Sequence, residues 1–107
     1  MSENHQTYEY ALKELSLALA KTDDEELIER FLKSLLTKYE LSEISSRWAL
    51  VRLIDEGISQ RKIAQKLGLS LCKITRGSKE LKKKDSAFKK LIDRYKLVSE
   101  VKEKTLS

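Results

Sequence analysis

The chain contains no proline, and its three glycines stand at 57, 68 and 77. Those two residue types most often end a helix, proline by its missing N–H and its clash, glycine by its backbone freedom. A sequence so poor in breakers, and rich in Leu, Lys and Glu, has few points where a helix must stop. The expectation is an all-α fold. Its 107 residues suit one domain, 1–107, too short for two ordinary ones. A domain of this size buries a modest share of its surface, so an oligomer interface could supply part of the core.

Periodicity divides the chain into six helices. Tyr8, Leu12, Leu15 and Leu19 mark the apolar stripe of the first. Thr22-Asp-Asp-Glu25 fits a capping box, in which hydroxyl and glutamate each accept a backbone N–H, and its acidic run suits the positive end of a helix dipole. A second helix follows, with Leu27, Ile28, Phe31, Leu32, Leu35 and Leu36 as its apolar positions. Thr37-Lys-Tyr-Glu40 is a second capping box, opening a third helix that presents Leu41, Ile44, Trp48, Val51 and Ile54. Gly57 supplies the stop, since glycine takes positive φ cheaply. A fourth helix is predicted over about 59–67, broken at Gly68. A fifth starts near Ser70, a good N-cap, and reaches about Lys82. Lys82-Lys-Lys-Asp85 reads as loop. The last helix shows Phe88, Leu91, Ile92, Tyr95 and Val98, and fraying is expected after Ser99.

The fourth and fifth helices meet the demands of a helix-turn-helix, two short helices crossing steeply through a tight turn. Ile63 and Leu67 give the first an inward face, Ala64 permits close approach, Gly68 allows the turn, Leu69 fills the gap and Ile74 anchors the second helix. At 100° per residue, Leu71, Ile74, Ser78 and Leu81 fall on one side of the fifth helix, and Cys72, Lys73, Arg76, Lys79, Glu80 and Lys83 on the other. An apolar face inward and a cationic face outward is what a major-groove reader requires. A hairpin used only for packing would explain the apolar positions but not the basic face. Base edges would be met near Leu71, Cys72 and Lys73, and by Arg61 on the preceding helix.

Charge is distributed to match. Residues 1–57 carry 7 Lys/Arg against 12 Asp/Glu, residues 58–90 carry 11 against only Glu80 and Asp85, and residues 91–107 carry 4 against 3. A basic block confined to one segment is the footprint of a polyanion partner. Charge alone leaves a solvated lysine-rich face open as the other reading.

Other chemistries lack their residues. Cys72 is the one cysteine and His5 the one histidine, which excludes an intramolecular disulfide or a cysteine-cluster zinc site and makes a structural metal a poor expectation. There is no glycine-rich phosphate loop, and no histidine placed to activate Ser, Thr or Cys72, so no enzyme is expected. With no basic-then-apolar leader and no run of 18 apolar residues, the expectation is a soluble cytoplasmic protein without a membrane partner. Trp48, at helical spacing between Ile44 and Val51, reads as core, Cys72 as an inert, partly exposed thiol and His5 as a surface residue.

The stretch Ile58-Ser-Gln-Arg-Lys-Ile-Ala-Gln-Lys-Leu-Gly68, followed by Lys73-Ile-Thr-Arg-Gly-Ser78, resembles the tryptophan repressor family. Leu36-Thr37 and Arg47 match it upstream at similar spacing, and the likeness covers roughly 34–92. The resemblance implies an intertwined homodimer of six helices per chain, with L-tryptophan as a corepressor that fixes the reading heads for successive major grooves. It also implies an indole slot between two arginines of different subunits, Arg76 and the partner's Arg47, with Thr37 and Gly77 at further pocket positions. Arg76 thus has two candidate jobs, a phosphate contact or one wall of the slot, where guanidinium stacks on an aromatic ring. The chain departs from the family at Glu80 (usually serine), Ser34 (usually apolar), Lys79 (usually Asn) and Ala64 (often lysine). A carboxylate at Glu80 would either pair with the ligand ammonium or fill the pocket and repel the ligand carboxylate.

The expected function is that of a dimeric, L-tryptophan-responsive transcriptional repressor that binds double-stranded operator DNA and controls tryptophan-metabolism genes. Gln60, Arg61, Leu71, Cys72, Lys73, Thr75 and Lys79 are its DNA-facing candidates, and Thr37, Arg47, Arg76, Gly77 and Glu80 its ligand candidates. Segment 59–82 would be the reading head, with 1–57 and 85–104 the dimer core. Two alternatives stay open: a regulator of the same fold that does not bind tryptophan, and a helical adaptor whose basic face binds an acidic protein.

Overall fold

The computed structural model describes the backbone of residues 2–106 and the side chains of residues 7–100. Among these residues the chain is all-α, as expected, with six helices and no strand: α1 (Ser2–Ala20), α2 (Glu25–Leu35), α3 (Lys38–Asp55), α4 (Gln60–Leu67), α5 (Leu71–Lys82) and α6 (Ala87–Leu106). They form two compact units, Met1–Leu41 and Ser42–Ser107. The His5 side chain lies outside the described residues.

In the first unit the start of α2 differs from the expectation. Asp24 is the N-cap, accepting from the Leu27 N–H at 3.2 Å, while Thr22 turns back and donates to the Ala18 carbonyl at 2.7 Å. Three cap-forming residues in a row, Thr22, Asp23 and Asp24, offered the backbone alternatives. Thr22 is used to finish α1 and Asp24 to begin α2. The second capping box forms as read: the Thr37 N–H meets Glu40 Oε1 at 2.9 Å, and the Glu40 N–H meets Thr37 Oγ1 at 3.1 Å. The α1 stripe does not make a closed core. Tyr8 and Leu12 are exposed, Leu15 and Leu19 half-buried, and no described side chain between residues 7 and 41 is fully buried.

The second unit holds the core: Leu50 and Val51 of α3, Ile63 of α4, Ile74 of α5 and Ile92 of α6. Trp48 packs against it, stacked on Phe88 with ring centroids 5.9 Å apart and edge-on to Tyr95 at 6.5 Å. Leu50 was missing from the predicted α3 stripe. It is buried because its side chain, with that of Val51, packs against α5 at Gly77, in the space where a Cβ would stand.

Three of the four ends of the short helices carry a cap, Gly68 and Ser70 in the roles read from the sequence. Ser59 caps α4 by accepting from the Lys62 N–H, Gly68 ends it in the left-handed region at φ 65°, and Ser70 caps α5 by accepting from the Lys73 N–H. Ser86, 9 % exposed, caps α6 by accepting from the Lys89 N–H at 3.1 Å. α6 continues as helix to Leu106 and contains neither proline nor glycine.

Candidate nucleic-acid interface and ligand cavity

α4 and α5 position the DNA-facing candidates. Ile63 and Ile74 are fully buried, with Ala64, Leu67 and Leu69 packed against the same core. With the inner faces fixed, helical spacing turns Gln60 and Arg61 of α4, and Cys72, Lys73, Thr75 and Lys79 of α5, to the outside, and all six are exposed. Leu71 needs a correction. The helical wheel put it with the apolar side, but as the first residue of α5 it is 59 % exposed. It joins Cys72, Thr75, Arg76 and Lys79 around a shallow hollow. A leucine methyl among cations on an outward helix face can meet a thymine methyl, while the cations meet phosphate.

Behind α5 lies a cavity of about 380 Å³, within the range usual for small-molecule sites. Its α3 wall carries Glu43, Ser46, Arg47 and Leu50; its α5 wall carries Lys73, Arg76, Gly77 and Glu80; Leu69 and Phe88 complete the apolar lining. One chain thus brings Arg47 and Arg76 to the same cavity, whereas the family likeness had drawn the two arginines from different subunits. Gly77 is buried at the α3–α5 crossing. A Cβ there would stand 2.9 Å from Leu50 Cδ1 and 3.2 Å from Val51 Cγ2. Glu80 lines the cavity and also pairs with Lys83 at 2.9 Å. Thr37 belongs to the other unit, where its hydroxyl and N–H are engaged with Glu40.

The walls present three cations and two carboxylates over an apolar lining. Such a lining suits a zwitterion with a flat hydrophobic body, since guanidinium planes stack on rings and carboxylates take an ammonium. Sequence reading missed Glu43, Ser46, Leu50 and Phe88. Glu43, Arg47 and Leu50 recur at i, i+4 and i+7, so the spacing marks one face of α3. What the spacing omits is that α5 covers that face.

A forked ion pair crosses from α3 to α5. Lys73 Nζ lies 3.3 Å from Glu43 Oε1 and 3.5 Å from Oε2, with side chains 51 % and 33 % exposed. Among the described residues no cluster of His, Cys, Asp or Glu could hold a metal, and no helix is long and apolar enough to cross a membrane. Cys72 is a free, exposed thiol.

The profile of the Trp repressor protein family matches residues 10–96. A Trp operon repressor homolog of Chlamydia trachomatis serovar L2 is 38% identical over 71 residues, covering 62% of this chain and 76% of the relative. A homolog of the same name in Chlamydia caviae is 39% identical over 74 residues, 68% of this chain and 73% of the relative. Another, from Xylella fastidiosa strain M23, is 36% identical over 74 residues, 68% and 80%. No solved structure matches the chain.

Proposed function

This chain belongs to the Trp repressor family, a regulatory and non-enzymatic family, and on that premise we propose that it is a DNA-binding repressor switched on by L-tryptophan. The observation that carries the reading is the placement of Arg47 and Arg76 around one cavity directly behind the exposed cationic face of α5. A ligand held there touches the reading helix from inside, so its binding energy can bias where that helix stands.

In this reading the segment 59–82 is the reading head. Arg61 and Lys73 are its foremost base and phosphate contacts, supported by Gln60, Leu71, Cys72, Thr75 and Lys79. Arg47 and Arg76 sandwich the indole, Gly77 leaves it room, and the wall carboxylates Glu43 and Glu80 receive the ammonium. Residues 1–57 and 85–104 form the dimer core. Support comes from large apolar side chains left exposed on α1, α2 and α6, among them Leu12, Leu17, Leu27, Leu91 and Val98. The protein acts on double-stranded operator DNA in the cytoplasm, at genes of tryptophan metabolism, and performs no catalysis. A second reading is favoured by Glu80 itself, whose carboxylate in the cavity suits a ligand more cationic than tryptophan or keeps tryptophan out.

Titrating the protein at fixed salt with a duplex selected from a random pool, with and without L-tryptophan, separates these readings. We expect tighter DNA binding with the amino acid, and a log–log salt slope of about −0.9 per phosphate neutralised. Calorimetry with L-tryptophan should show binding that Arg47→Ala weakens about tenfold, the worth of a partly desolvated guanidinium–ring contact. DNA binding indifferent to L-tryptophan would favour the second reading. No DNA binding even at low salt would leave an adaptor for acidic proteins.

A further inference from the structure

Lys73 belongs to two surfaces at once. It stands in the first turn of α5 among the exposed residues that face outward, and its side chain also lines the cavity. In the structure it spends its charge on Glu43, a residue of α3 on the same cavity wall. A cation in the first turn of a helix is poorly placed, because the dipole there is already positive. A carboxylate beside it offsets both the ammonium and the helix end. Glu43 therefore draws Lys73 along the rim of the cavity.

The pair is built to open. Both side chains are partly exposed, so water shares the cost of separating them, and such pairs are individually weak. Once freed, Glu43 has Arg47 four residues on along the same wall, and a cationic group of any cavity occupant would also compete for it. Freed Lys73 is an exposed cation in the first turn of α5, the helix that also carries the outward residues Cys72, Thr75 and Lys79, and phosphate of a bound duplex is then the partner open to it.

We propose that the Glu43–Lys73 ion pair is a latch that withholds the leading cation of α5 from DNA until a ligand's ammonium, entering the cavity, takes Glu43 away. This rests on the reading of α5 as the DNA-facing helix and of the cavity as the corepressor site, and it adds a regulatory pair to both. Glu43 is then a positioning residue. It touches no DNA and acts through Lys73.

The test is a double-mutant cycle of Glu43→Gln and Lys73→Gln, read by fluorescence anisotropy on the selected duplex at fixed low salt. Without ligand, Glu43→Gln should bind about two- to fivefold tighter than wild type, the range an exposed ion pair supplies. In the Lys73→Gln background the same substitution should change affinity little. With saturating L-tryptophan, wild type and Glu43→Gln should converge. An equal gain in both backgrounds means that Glu43 merely repels phosphate, and overturns the latch. So does a gain that L-tryptophan leaves undiminished although calorimetry shows it bound. Absence of DNA binding by the wild type, or of L-tryptophan binding by calorimetry, instead sinks the underlying reading, and the ligand-operated latch with it.

Discussion

Asp55, near the end of α3, has a side chain only 6 % exposed and ion pairs with Lys89, at 2.7 Å, and with Lys96 of α6. Hydrogen bonds from Lys89 and then Lys96 hold its carboxyl below the usual carboxylate range, against the opposing effect of burial, and the bond to Asp55 raises the Lys89 ammonium above its ordinary value. The acid's contribution to stability is therefore complete above about pH 4 and fades as pH falls through its lowered folded value. The lysine's contribution is present below its ordinary value and is lost as pH rises through its raised one. Asp55→Asn should lower stability in urea at pH 7 by about 1 kcal/mol, a modest figure because both ammonium ends reach water. That difference should shrink below about pH 4, where the unfolded chain protonates at Asp55 before the folded carboxyl does. A difference that stays constant from pH 7 to 3 would mean the ion pairs contribute nothing. None of this was legible in the sequence: Asp55 and Lys89 are 34 residues apart, and periodicity says which face a residue occupies but not which charge stands opposite. The same holds for Glu43 and Lys73, 30 apart. Arg47 could be singled out only by its resemblance, since one arginine on an amphipathic helix looks like any surface charge.

At the scale of elements, the sequence was most readable where backbone chemistry is local. Ser59, Gly68 and Ser70 set the boundaries of α4 and α5 because each satisfies or frees a backbone group within three or four residues of itself. The start of α2 was less legible for the same reason: Thr22 and Asp24 compete over one turn, and only the finished helices decide between them. Helix crossings were hidden altogether. Gly77 sits mid-helix, where glycine costs about 1 kcal/mol relative to alanine in an exposed position. Its presence makes sense once Leu50 Cδ1 is seen 2.9 Å from where a Cβ would be. Gly77→Ala should gain that propensity and lose more to overpacking, worth about 1–3 kcal/mol, for a net destabilisation of about 1 kcal/mol in urea. Because the clash is with the end of a leucine, the penalty should shrink in a Leu50→Val background. An unchanged penalty there would place the strain elsewhere. The substitution also displaces α5, so DNA affinity should fall with stability in the single variant.

At the scale of the whole molecule, the described side chains leave an imbalance. The fully buried apolar set is five residues, all in the second unit, while Tyr8, Tyr10, Leu12, Leu17, Leu27 and Leu35 of the first are exposed. Helices of 19 and 11 residues are marginal in water on propensity alone and owe most of their stability to a buried face. On α6, Leu91, Tyr95 and Val98 repeat the problem at i, i+4 and i+7, a stripe open to solvent. Amphipathicity was plain in the sequence, but a stripe does not say which chain covers it. A second copy answers the imbalance if self-association and folding are one process. Sedimentation should then give twice the 12.4 kDa of the chain, and the urea midpoint should rise with concentration, each tenfold increase adding about 1.4 kcal/mol per dimer. Leu91→Glu together with Val98→Glu, which remove nothing from the core of the second unit, should drop the mass to one chain and take α1 and α2 helicity with it. A wild-type chain that sediments as a monomer, with a concentration-independent midpoint and full helicity, would show that one copy stabilises these helices alone. The dimer core proposed for 1–57 and 85–104 would then have no physical basis.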